Sequence, residues 1–307
     1  MLVSFFLGFS ALAPVCAQPA DHKVQGPERV FVVGSGNSAL DQHVLRLLAT
    51  ELGDGFTLDP LPESQINASG DTPIITIGPA AFTRVRQGNR SAVVLALLVE
   101  HSFIENYAGR SNGRVGAVFQ DVPLLRQALT GKAILPQTTR IALLANTDSA
   151  ELYEPLIDQL APYDLRARIF IADSEDQLIP ALIRALSYGD FVLAAPDEAI
   201  YNPRSIKHIL LTAYRRNKIL IGPSQAYVRA GALASSYAPF DAMAERAAAH
   251  LNSFFDNGRF PPPAYSPRFK VVINQQVARS LNIPLPDRDW IAETVNAYLD
   301  NRQEEQP

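Results

Sequence analysis

A single cysteine, a single tryptophan and two methionines occur in the 307 residues of this chain, and the shortage of cysteine excludes most. With Cys16 alone, no intrachain disulfide and no cysteine-built zinc site can form. Positive charge is not in excess either: 27 Lys and Arg stand against 31 Asp and Glu, a formal net charge of −4. A general nucleic-acid binder needs a basic face to neutralise phosphates, so that class is set aside and Arg215-Arg216 is read as a solvated helix end. Past the N-terminal segment no eighteen consecutive apolar residues occur, too few for a membrane-spanning helix. Catalytic signatures are equally scarce. There is no Gly-Lys-Ser/Thr phosphate loop, no His-Glu-x-x-His and no calcium-loop pattern. Ser224, in Gly222-Pro223-Ser224-Gln225-Ala226, lacks the second glycine of a nucleophile elbow. His208 and His250 fall on stretches read as helices, where packing or solvation is the ordinary role. The chain therefore reads as a binding protein, not an enzyme.

What is present begins with export. Residues 1–17 form an apolar stretch ending in Val15-Cys16-Ala17, followed by polar Gln18. That is the shape of a signal-peptide core and cleavage site, although no Lys or Arg precedes the apolar run. Val15 before Cys16 suits a lipoprotein poorly, so cleavage is expected after Ala17. A mature chain without thiols suits an oxidising compartment.

The remaining length suits two domains, each able to bury its own core. Strand-like apolar runs alternate with helical spacing, which predicts an α/β protein with parallel sheets covered on both faces. Strands are expected at 29–33, 56–58, 74–77, 93–98 and 115–119, with helices at 38–52 and 79–87. A second set of strands is expected at 141–145, 166–171, 191–194, 219–221 and 232–236. Its helices are expected at 149–160, from Asp173 or Ser174 through Leu186, and from Pro203 behind an Asn202 cap. After these come an Ala-rich helix at 240–255, a stiff crossing segment at Pro261-Pro262-Pro263, a strand at 269–273, and helices at 275–281 and 289–299.

From about Val115 to Pro286 the chain resembles the substrate-binding proteins of ABC transporters with the type I periplasmic-binding fold, in the branch related to tryptophan and tyrosine uptake. The resemblance rests on Val115-Gly116-Ala117-Val118, Leu135-Pro136 and Asn146. It continues in Asp173-Ser174-Glu175-Asp176, Pro196-Asp197 with Tyr201-Asn202, and Gly222-Pro223-Ser224 with Gly231-Ala232. Val272-Ile273-Asn274 with Ala278-Arg279-Ser280-Leu281 completes it. It implies two doubly wound parallel-sheet lobes joined by a hinge and closing on a small molecule. Lobe 1 would be 28–121 with 237–268 returning to it, and lobe 2 would be 122–236 with 269–284. Residues 285–307 would form a C-terminal helix and tail. It further implies a periplasmic monomer that delivers an amino acid or related aromatic compound to an inner-membrane ABC permease. The alternative is an exported module that signals to a membrane sensor.

Ligands of open α/β sheets bind outside the strand C-ends, which selects the candidate site. Gly34-Ser35-Gly36-Asn37-Ser38-Ala39 fits a dinucleotide-binding pattern, with Asp59 about twenty residues on. That would make the chain an NAD(P)-dependent oxidoreductase, a distant alternative given export. Ser35, Asn37 and Ser38 are instead read as ligand-loop residues, and no cofactor is expected. Gly78 and Pro79 hold the matching place after 74–77, where backbone approach and a helix N-terminus favour a carboxylate or phosphate. His101 follows 93–98 beside Glu100, and without a third ligand the pair is not a metal site. Asn146, Asp197, Tyr201 and Ser224 stand at successive strand ends of the second set. Asp197 is suited to an amine or hydroxyl, and Tyr201 and Tyr227 to stacking on a flat ligand.

Overall fold

The computed structural model describes residues 27–303, with the side chains of 301–303 left aside; the expected signal segment and Cys16 lie outside them. Two sheets organise the chain. The first has order β2-β1-β3-β4-β5, built from β1 (Glu28–Val33), β2 (Phe56–Pro60), β3 (Ile74–Ile77), β4 (Val94–Val99) and β5 (Val115–Phe119). The second has order β11-β10-β9-β8-β6-β7. Its strands are β6 (Arg140–Ala145), β7 (Arg166–Ile171), β8 (Phe191–Leu193), β9 (Ile219–Ile221), β10 (Ala234–Tyr237) and β11 (Lys270–Ile273). Leaving out β11, both sheets repeat one doubly wound order. Every pairing is parallel except β10 with β11. The Val-Leu-Ala-Leu-Leu-Val of β4 is buried at every position, which is why it shows no alternation.

Helices of the first half are α1 (Ser38–Leu52), α2 (Pro79–Gly88), α3 (His101–Ala108) and α4 (Leu124–Ile134). Those of the second are α5 (Glu154–Leu160), α6 (Glu175–Tyr188), α7 (Ile206–Arg215), α8 (Gln225–Ala230), α9 (Phe240–Asn257), α10 (Gln275–Ser280) and α11 (Arg288–Gln303). The strand expected at 232–236 runs from Ala234 to Tyr237, and two helix starts shift. The helix expected at 149–160 begins as a 3-10 turn (Ala150–Tyr153) before α5, with Pro155 at its start. The helix expected from Pro203 starts at Ile206, because the Asn202 carboxamide accepts the N–H groups of Arg204 and Ser205 in a turn of its own.

The chain passes between the sheets at three places. After β5 it enters α4, which packs on the second sheet; after β10 it enters α9, which packs on α1, β4 and β5 of the first. Alanines 242, 244, 247 and 248 are buried on α9. The return runs beside β5, where Ala264 N–H donates to Ala117 C=O at 3.0 Å and Phe119 N–H to Ala264 C=O at 3.1 Å, before β11 joins the second sheet.

Gln127 of α4, only 1% exposed, ties this junction together. Its Nε2 donates to Ser236 C=O at 2.8 Å, and its Oε1 accepts Ser236 N–H at 2.8 Å. Gln127→Leu takes the amide acceptor from the buried Ser236 N–H, while Ser236 C=O keeps the Ser235 hydroxyl at 3.0 Å, and a loss of about 1–2 kcal/mol is expected in a denaturant melt. An unchanged midpoint would mean that water replaces the amide.

Candidate functional site

A cavity of about 550 Å³ opens between the sheets, walled by the C-ends of β4, β5, β8, β9 and β10 and by the start of α9. The first sheet contributes Leu98, Glu100, Gln120 and Asp121. The second contributes Asp197, Glu198, Ser224, Tyr227 and Arg229, and Phe240 and Met243 line it from the start of α9. Leu98 takes the left-handed region (φ 55°), where the β4–β5 register shifts between Leu97 and Val99. For a branched side chain that conformation costs about 1 kcal/mol, and such strain tends to collect at ligand sites.

The cleft is acidic. Asp121 Oδ1 accepts the His101 N–H at 3.2 Å. Burial, opposed by hydrogen bonds from the backbone of Asp121 and His101 and reinforced by the charge of Glu100, lifts the Asp121 carboxyl to about 7. The Glu100 carboxyl is also raised, first by burial and then by Glu198 of the opposite lobe. Asp197 is 6% exposed; its Oδ1 accepts the Ala199 N–H at 2.9 Å, and its Oδ2 has no hydrogen-bond partner. Beneath it lie the buried Tyr153 and Tyr201. Burial raises both phenols, and the Asp197 charge adds to each shift. Tyr153 Oη accepts the Ala195 N–H at 2.9 Å, which fixes the strand end that carries Asp197. Tyr227 donates its hydroxyl to Tyr201 C=O, so its ring is held in place at the cavity wall.

Of the residues singled out in the sequence, Asp197, Ser224 and Tyr227 line this cavity together. Tyr201 lies behind the wall at 2% exposure. His101 sits just outside it, its ring 5.1 Å from Phe119 and 6.2 Å from Tyr265. Ser35, Asn37 and Ser38 do not line it; from that region Leu40 does. Their loop is self-contained. Asp41 Oδ1 accepts both the N–H and the hydroxyl of Ser35, at 2.9 and 2.7 Å, while Asn37 Oδ1 caps α1 through Leu40 N–H at 3.2 Å. A pyrophosphate at this helix start would meet the Asp41 carboxylate, and Asp59 is engaged by Arg29 at 2.7 Å. Gly78 and Pro79 begin α2 away from the cavity, with Gly78 at φ 84°, a conformation that favours glycine. Asn146 belongs to a separate cavity of about 680 Å³ that lies wholly on the second lobe, against Ser174, Asn202 and His208. There Asn146 and Ser149 exchange hydrogen bonds at 2.7 and 3.0 Å.

Gln120, Asp121, Glu198 and Arg229 escaped the sequence reading. The first two directly follow the strand at 115–119, so the strand-end rule applied to that strand reaches them. Among the described residues, no group of three or more His, Cys, Asp or Glu is placed to hold a metal ion. None of their helices is long and apolar enough to cross a membrane.

Neither a family model nor a curated protein matches this chain. Solved structures do. The ligand-free, open form of a substrate-binding protein with adhesive properties from Clostridium difficile covers 86% of this chain and 98% of its own, at 12% identity and a TM-score of 0.69. An ABC domain in complex with L-Trp from Streptococcus pneumoniae covers 85% and 96%, at 17% identity and a TM-score of 0.56. A conserved domain protein from Vibrio cholerae covers 89% and 98%, at 15% identity and a TM-score of 0.55. At these identities the likeness is one of fold: two doubly wound lobes of the type I periplasmic-binding-protein kind.

Proposed function

We propose that this chain is an exported solute-binding protein that captures a small molecule between its lobes and hands it to an inner-membrane ABC permease. The observation that carries this reading is the 550 Å³ cavity walled by strand ends of both sheets. A ligand held by both walls favours the closed state to the extent that it binds that state better. Asp197, Ser224 and Tyr227 are its contacts on the second lobe. The solute is a small amphipathic compound of the amino-acid or related aromatic type, since apolar Leu98, Phe240 and Met243 share the cavity with polar groups. Periplasmic location and action as a monomer belong to the same proposal.

A thermal-shift screen of amino acids, amines, nucleosides, sugars and vitamins tests it. A ligand at a hundred times its dissociation constant adds about 2.7 kcal/mol of stability. Tyr227→Ala is expected to weaken that ligand by roughly tenfold or more, through lost ring contact and a loosened wall. Stabilisation that survives Tyr227→Ala in full would place the ligand elsewhere.

A further inference from the structure

Resting on that cleft reading, we infer that the solute is a small organic cation, a primary amine or guanidinium on a short apolar stem, anchored by Asp197 and faced by Glu100 and Asp121 across the cleft. Four carboxylates line the cavity, on Glu100, Asp121, Asp197 and Glu198, against one arginine, Arg229, which is itself exposed. Among the described residues none of the four forms an ion pair, although six such contacts join other residues.

Asp197 supplies the independent sign of a missing partner. It is 94% buried, and its Oδ2 meets no donor from the protein. A buried carboxylate oxygen without a donor is costly; Oδ2 is sealed from solvent here, and an ammonium or guanidinium N–H that reaches it as the lobes close would remove that cost with a charge-assisted bond. A neutral polyol would satisfy Oδ2 yet leave the repulsion between Glu100 and Glu198 in place. A zwitterion would bring a carboxylate into a cleft whose sole cationic lining residue is Arg229. An inorganic ion does not fit either, because the acids are spread over both walls and no three are grouped for a metal. Spread charges suit a molecule with length. They also oppose closure of the empty cleft, so a cation that neutralises them couples binding to closure.

Matched pairs that differ only by a carboxylate test the class: agmatine against L-arginine and tyramine against L-tyrosine, by isothermal titration. The decarboxylated member of at least one pair is expected to bind roughly tenfold more tightly or better. Asp197→Asn, shown to be folded by circular dichroism, should weaken it about 30-fold or more, while Asp197→Glu retains part of the affinity. Binding should also strengthen about tenfold from pH 6 to pH 8, as Asp121 gives up its proton beside Glu100, His101 and Tyr265, and Asp121→Asn should flatten that rise. If an amino acid, sugar or anion binds in the cleft and Asp197→Asn leaves it unchanged, the cation assignment is overturned and the cleft reading stands. If no compound binds, both fall.

Discussion

Phe191→Ala is expected to lower the stability of the folded chain by about 3–5 kcal/mol, read as a lower denaturant midpoint at unchanged slope. Phe191 is fully buried in β8, paired on one side with β6 and on the other with β9. Its ring lies against Gly131 in the interior of α4, where an added Cβ would stand 2.4 Å from the ring. A glycine inside a helix costs about 1 kcal/mol relative to alanine, so the ring's need for space explains its presence. Gly131→Ala should therefore destabilise rather than stabilise, by about 1–3 kcal/mol of overpacking. The two sites touch, so Gly131→Ala with Phe191→Leu should lose less than the sum of the single changes. The same helix carries Gln127, which reaches the β10 side of the cleft, so loosening α4 should also weaken ligand binding. A loss below about 1 kcal/mol for Phe191→Ala would show that the site collapses around the smaller side chain.

The second large effect concerns pH. The Asp121 carboxyl stands at about 7 in the folded protein against an ordinary value of 3.8, chiefly through burial. The folded state thus holds a proton that the unfolded state has released between about pH 4 and pH 7. A raised folded value means that stability is fully present below the unfolded value and is lost as pH rises through the folded one. The unliganded protein is expected to lose roughly 2–4 kcal/mol across that window from this group. Glu100, also raised by burial, slopes the same way. His250 opposes both, because burial lowers it below 6.5. The informative quantity is therefore the difference between wild type and Asp121→Asn, measured by urea melts from pH 4.5 to 8. That difference should grow towards pH 7 and then level off, with the variant the more stable at pH 8. A pH-independent difference would place Asp121 in solvent.

The organisation of the chain was legible in its sequence because the signals are local. Helical spacing marked α1, the cap at Asp173 or Ser174 marked α6, and Pro79 marked the start of α2. Where local chemistry was ambiguous, the reading failed. Buried Gln127, Thr130 and Gly131 hid the inner face of α4, and the Asn202 turn delayed α7. For the cavity, the rule that ligands lie at strand C-ends selected Asp197 and Ser224 and the stacking argument selected Tyr227, which line it together, while Tyr201, selected with them, is buried behind its wall.

Two things were determined by sequence alone: an α/β chain with two sets of strands, and a set of polar loops at their ends. Local periodicity and turn residues carry that much. Only the tertiary structure decided which loops meet. In one dimension the ends of β1, β3, β4 and β5 are equivalent; in space β4 and β5 face β8 and β9, while the Ser35–Ser38 loop closes on its own Asp41. That choice follows from where the chain crosses between sheets, after β5 and after β10. Such crossings bring residues as distant as Glu100 and Glu198 within electrostatic reach, and no local pattern encodes that meeting.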